Sequence, residues 1–156
     1  STRGSQIRFH PDSLLHSDFP LNCVGEPTSR GQHLQREHKL SILISFDIDG
    51  TLEVGDPPGD ITMEMVRQAQ GHGYLIGSCS DRTVSEQQRI WERHGISVGF
   101  TVLKHRLGEV KTLFQADRYY HIGDTEIDRR ASLQAGFEFL AVGDALIGLL
   151  NELTAQ

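Results

Sequence analysis

Two short stretches of this chain carry carboxylates at spacings that suit chemistry. Asp47-Ile48-Asp49-Gly50-Thr51 follows the apolar run SILISF at 41–46. In an extended chain, positions i and i+2 point to the same side. Two carboxylates so placed at a buried strand tip repel each other unless a cation or a transferred proton relieves them. The plainer reading, two solvent-facing loop acids, fits poorly with the apolar run before them. The second stretch is Gly123-Asp124-Thr125-Glu126-Ile127-Asp128. If a helix starts near Thr125, Asp124 caps it and Asp128 follows one turn later on the same side. Capping plus a surface acid is the plainer reading here. Together, Asp47, Asp49, Asp124 and Asp128 form a set of oxygen donors suited to a hard cation such as Mg²⁺.

The elements that must position these residues follow from hydrophobic patterning. Strands are expected at 41–46, 74–79, 97–103, 119–122 and 137–142. Helices are expected at 60–71, 83–94, 105–115, 125–135 and from 144. Asp60 or Thr62 would cap the first, with Met63, Val66 and 69–70 on its inner stripe, and Gly95 and Gly136 stop two others. Five short apolar strands alternating with helices predict an α/β fold: a doubly wound, parallel, five-stranded sheet in a three-layer sandwich. Crossovers in such a fold are right-handed. Ligands bind there at the carboxyl ends of the strands, near a topological switch point. Both acidic stretches stand at such ends.

Residues 1–40 read differently. They hold three of the five prolines and four of the eight histidines, with sparse apolar residues of no regular period. An extended or partly disordered arm is expected there, pinned by Leu14, Leu15, Phe19 and Leu21. The histidines His10, His16, His33 and His38 match no zinc spacing. The division is then an arm over 1–40 and one α/β domain over 41–156.

The chain has 156 residues and a formal net charge of −6, of which the arm carries +1 and the remainder −7. Such a balance speaks against a broad nucleic-acid-binding surface. No run of about 18 apolar residues occurs, so no membrane-spanning helix is expected. Two cysteines, Cys23 and Cys79, are too few for a disulfide scaffold. With no apolar leader segment at the start, a cytoplasmic setting is expected. Cys79 reads as a small buried apolar residue, and Ile90 and Trp91 as packing.

The two acidic motifs, in this order and after strands, resemble those of the haloacid dehalogenase superfamily of phosphohydrolases. Asp47-Ile48-Asp49-Gly50-Thr51 matches Asp-x-Asp-Gly-Thr, and 123–128 matches Gly-Asp-x-x-x-Asp. The resemblance covers about residues 41–143. It implies that Asp47 is a nucleophile forming an aspartyl-phosphate and that Asp49 is the general acid and then base. It implies Mg²⁺ held by the Asp47 carboxylate, the Asp49 carbonyl and Asp124, with Asp128 supporting directly or through water. It places Thr51, Ser80, Arg82 and Lys104 at the phosphoryl group. Ser78 stands as the alternative to Ser80, and Lys111, two turns on, as the alternative to Lys104. Arg82 suits a charge-assisted contact to substrate, and equally a surface salt bridge.

Members of that superfamily often carry a cap domain inserted after the first or the second motif. Here 22 residues separate Thr51 from Tyr74 and 23 separate Ser80 from Lys104. Neither gap holds a domain, so the resemblance implies an open site. Uncapped members tend to act on phosphorylated macromolecules or to have a neighbouring subunit, such as a second copy of the chain, complete the pocket. The loop 53–59 (EVGDPPG) and the 1–40 arm are candidates for substrate selection. The leading expectation is a Mg²⁺-dependent phosphomonoesterase. Against it stand a phosphate- or metal-binding module without turnover, part of a larger assembly, and a nucleic-acid end-processing phosphatase, for which Arg30, Arg36, Lys39 and Arg82 leave room.

Overall fold

The computed structural model describes residues 40–143 and 145–154. The expectations for the 1–40 arm and for Cys23 therefore fall outside the described residues, Leu40 apart. Five strands alternate with helices: β1 (Ile42–Phe46), α1 (Met63–Gly71), β2 (Leu75–Ser80), α2 (Val84–Arg93), β3 (Phe100–Leu103), α3 (Leu107–Leu113), β4 (Arg118–Gly123), α4 (Glu126–Ala135), β5 (Glu138–Ala141) and α5 (Ala145–Thr154). A 3-10 turn, Lys104–Arg106, leads into α3.

All strand pairs are parallel, in the order β3-β2-β1-β4-β5. β1 is fully buried, which suits a central strand covered on both faces. Alternate residues of the strands feed two separate apolar layers. Ile42, Ile44 and Phe46 of β1 pack with Val66 and Ala69 of α1, Trp91 of α2 and Leu146 of α5. Leu43 packs on the other face with Phe100, Val102 and residues Leu107 and Val110 of α3. The result is a Rossmann-like sandwich of helix, sheet and helix. The strand after β1 lies on one side of it and β4 on the other, so the switch point falls between the carboxyl ends of β1 and β4.

Several element ends differ from the sequence expectation. α1 begins at Met63 because Thr62, not Asp60, caps it, its hydroxyl accepting from the Met65 amide at 3.1 Å. Ile61 is engaged instead in a bridge with Leu52 that folds the 47–61 loop on itself. β2 runs one residue further than expected, to Ser80, and β3 starts only at Phe100, where pairing with Gly77 begins. The expected helix at 105–115 is shorter, because residues 104–106 form the 3-10 turn and Phe114 is extended. α4 is capped by Thr125 and not by Asp124: the Thr125 hydroxyl and the Asp128 carboxylate exchange bonds with each other's backbone amides. Gly136 ends α4 with φ of 78°, as the glycine stop predicted. Between β1 and β2 lie one loop and α1, and between β2 and β3 lies α2. No described helix is long and apolar enough to cross a membrane.

Candidate active site

Parallel pairing brings the ends of β1, β2 and β4 level, and a small open cleft of about 220 Å³ lies above them. Asp47, Asp49, Pro57, Ser80, Asp81, Lys104, Asp124 and Thr125 line it. Asp47 continues β1, its amide donating to the Ile122 carbonyl at 2.9 Å, so its carboxylate is fixed relative to β4. Carboxylate oxygens of Asp47, Asp124 and Asp128 lie within 4.8 Å of one another; Asp47 and Asp128 are buried and Asp124 is exposed.

The approach of the β1 and β4 loops depends on a glycine. Gly50 has φ of 74°, and a Cβ there would collide with the Asp124 carboxylate. The 53–59 loop closes over the same corner, with the Asp56 amide donating to Asp49 Oδ1 at 2.8 Å and Pro57 reaching the cleft. The Asp56–Pro57 peptide is cis.

Lys104 is the cation at the centre. Its Nζ stands 3.0 Å from Asp128, 3.3 Å from Asp81 and 3.8 Å from Asp47. Lys111, the alternative, points elsewhere, donating to the Gly136 carbonyl at 3.2 Å and lying over the Tyr119 ring. The two serines separate equally cleanly. Ser78 is drawn under α2, donating to Gln87 at 2.7 Å and accepting from the Trp91 indole at 3.0 Å. Ser80, at the end of β2, lines the cleft, and its oxygen accepts from the Arg82 amide at 3.1 Å. Arg82 itself forks onto Asp49, with Nη2 2.7 Å from Oδ1 and Nε 3.1 Å from both oxygens. Thr51 is fully buried, its hydroxyl without a hydrogen-bond partner, and it is not part of the cleft lining.

The charges are unevenly compensated. Burial and then the neighbouring Asp128 push the Asp47 carboxyl up to about 8, against the opposing pull of Lys104. Burial opposes the charge on Asp128 too, but His121, Lys104, Asp47 and Thr125 outweigh it and hold that carboxyl well below the ordinary range. The Arg82 fork holds Asp49 below its ordinary value, and burial raises Asp124. Lys104 is held above the usual lysine value, since Asp128 and Asp47 outweigh its burial. Asp47, Asp124 and Asp128 each offer a carboxylate oxygen close enough to the others to hold a hard, oxygen-preferring cation.

Three residues of the site were not anticipated. Asp81 and Thr125 line the cleft. His121 of β4 is fully buried beneath it, with Nδ1 3.0 Å from the Ser45 hydroxyl and Nε2 3.6 Å from Asp128 Oδ1. Thr125 was readable as the first residue of a Thr-x-x-Asp capping box. His121 had no comparable signal, because its partner Ser45 lies 76 residues away. Comparison with known proteins leaves the geometry to stand by itself: no protein-family model matches this chain, and no curated protein matches it in sequence.

Proposed function

We propose that this chain is a Mg²⁺-dependent phosphohydrolase that cleaves phosphate monoesters through an aspartyl-phosphate on Asp47. The observation that carries this reading is the convergence of Asp47, Asp49, Ser80, Lys104 and Asp124 on one cleft at the sheet's switch point. The resemblance of its two acidic motifs to the haloacid dehalogenase superfamily supports the same reading.

An oxygen of Asp47 attacks phosphorus in line as the bond to the leaving oxygen breaks. Asp49 gives the leaving oxygen its proton, then takes one from the water that attacks phosphorus, releasing phosphate and restoring Asp47. The hydroxyl of Ser80 and the ammonium of Lys104 hold phosphoryl oxygens during both displacements. Mg²⁺, held by Asp47, Asp124 and the Asp49 carbonyl with Asp128 in support, would offset the repulsion between the anionic nucleophile and the anionic phosphate. Arg82 occupies Asp49 in this structure and keeps it a carboxylate, the form needed in the second displacement. The first requires Arg82 to let go and Asp49 to take up a proton from solvent, and the phosphate ester is an anion to which the Arg82 fork can turn.

The clamp on Asp49 also favours a second reading, a metal- or phosphate-binding module without turnover. Hydrolysis of an aryl phosphate with Mg²⁺ separates the two. Asp47→Asn, which keeps the shape and removes the nucleophile, is expected to lower kcat by on the order of 10³-fold or more. Wild-type protein no faster than Asp47→Asn on any phosphate ester would leave the binding module standing.

A further inference from the structure

A polar chain runs down from the cleft into the sheet: Lys104, Asp128, His121, Ser45. Ser45 and His121 are paired across β1 and β4 and are both fully buried. They lie on the face where Leu43 packs with α3, so they occupy positions that the fold otherwise fills with apolar side chains. Burying an imidazole and a hydroxyl there is costly unless each is bonded. The two bond each other at 3.0 Å through Nδ1, which leaves His121 Nε2 with no partner at hydrogen-bond length. The polar atom it faces is Asp128 Oδ1, at 3.6 Å.

The direction of the hydrogens follows from what the alternative would create. If Nδ1 carried the hydrogen and donated to Ser45, the Nε2 lone pair would point at a buried carboxylate oxygen. Two acceptors facing each other without solvent are strongly unfavourable. With the Ser45 hydroxyl donating to Nδ1, the hydrogen sits on Nε2 and points at Asp128. The remaining oxygen of Asp128 already accepts from the Thr125 hydroxyl at 2.9 Å and the Thr125 amide at 3.2 Å. Asp128 is thereby gripped from both sides, and Lys104 is anchored to it at 3.0 Å.

We propose that His121 is a positioning residue, held by Ser45 in the tautomer with hydrogen on Nε2, that fixes Asp128 and through it Lys104 and the cation-binding carboxylates. Its consequence for metal affinity rests on the proposed function, whereas the tautomer does not.

The first measurement uses the wild-type full chain without metal: long-range ¹H–¹⁵N NMR of the His121 ring. Hydrogen on Nε2 and a bare Nδ1 are expected, and hydrogen on Nδ1, alone or together with Nε2, overturns the proposal whatever the protein binds or hydrolyses. The second is a Mg²⁺ titration by calorimetry of two variants whose amides mimic different ring nitrogens. His121→Gln can place its amide nitrogen near Nε2 and is expected to bind Mg²⁺ within a few-fold of wild type. His121→Asn reaches only the Nδ1 position and is expected to bind about 10- to 100-fold more weakly. Equal affinity of the asparagine variant and wild type overturns the proposal. Wild-type protein that ignores Mg²⁺ would instead remove the metal reading, and the tautomer, with the melting temperatures of the two variants, still decides the placement of Asp128. There glutamine should again exceed asparagine, and the reverse order counts against it.

Discussion

Arg82 holds Asp49 with two nitrogens, Nη2 at 2.7 Å from one oxygen and Nε at 3.1 Å from both. This fork and the Asp56 amide make Asp49 a committed anion in the resting protein. Because its carboxyl is depressed on folding, Asp49 contributes stability above the ordinary carboxylate pKa and loses it as pH falls through the lower folded value. Arg82→Gln is expected to return the Asp49 carboxyl toward the ordinary range, read by ¹³C NMR of the side-chain carboxyl during an acid titration. An unchanged titration would mean that the Asp56 amide alone sets it.

Under the proposed function, Asp49 should matter in proportion to how badly the leaving group needs a proton. Asp49→Asn is expected to slow hydrolysis of alkyl phosphates by about 10²- to 10⁴-fold and of aryl phosphates with acidic phenols much less. Paired kcat/KM values on the two ester types check this. Equal losses on both would assign Asp49 a purely structural role.

Asp47 gives the opposite sign. Its carboxyl is raised on folding to about 8, so the metal-free protein holds a proton there that the unfolded chain releases near its ordinary value. That stabilising contribution is complete below about pH 4 and is lost as pH rises through about 8. Mg²⁺ binding must displace the same proton, so affinity should climb with pH up to about 8 and then level. Thermal melts at several pH values, with and without Mg²⁺, test it. The single tryptophan, Trp91, is buried and reports the transition. A Mg²⁺-induced shift in Tm that does not grow with pH would show that Asp47 is already ionised.

Gly50→Ala should damage the site more than the fold. The positive φ costs an L-residue about 1–2 kcal/mol, and the added Cβ must displace the Asp124 carboxylate. The expected outcome is a cooperative melt a few degrees lower together with at least tenfold weaker Mg²⁺ binding by calorimetry. Wild-type affinity in this variant would place Asp124 outside the cation site.

The Thr125 cap offers a control of the reverse kind. Thr125→Ala removes the hydroxyl that meets Asp128 and is expected to cost about 1 kcal/mol, while Thr125→Ser keeps most of it. Denaturant unfolding curves of both variants check this ordering.

The sheet was legible because its strands are short apolar runs closed by Asp, Ser, Lys or Gly, and all five described strands lie where those runs lie. Ser78 and Ser80 could not be told apart by strand alternation, since both have the same parity. Depth separates them: Ser78 lies beneath α2 and Ser80 at the strand's last position. Asp124 and Thr125 are both good capping residues, and the choice fell to Thr125 because Asp128 sits three residues after it. Thr51 was expected beside the phosphate from its motif alone, yet its side chain turns inward. His121 stands in the sequence as one more residue of an apolar strand, because only pairing with β1 reveals the serine across from it.

The central position of β1 has a bearing on biosynthesis. Asp47, Asp49, Ser80 and Lys104 all emerge from the ribosome before β4, yet β1 completes its pairing only when β4 is added. Until then the nascent chain exposes one long edge of its most apolar strand, a known invitation to wrong partners. It also holds Asp47 without Asp124 or Asp128. Insertion of one late strand therefore closes the exposed edge and assembles the carboxylate cluster in the same event, so a half-made chain has no finished site to misuse.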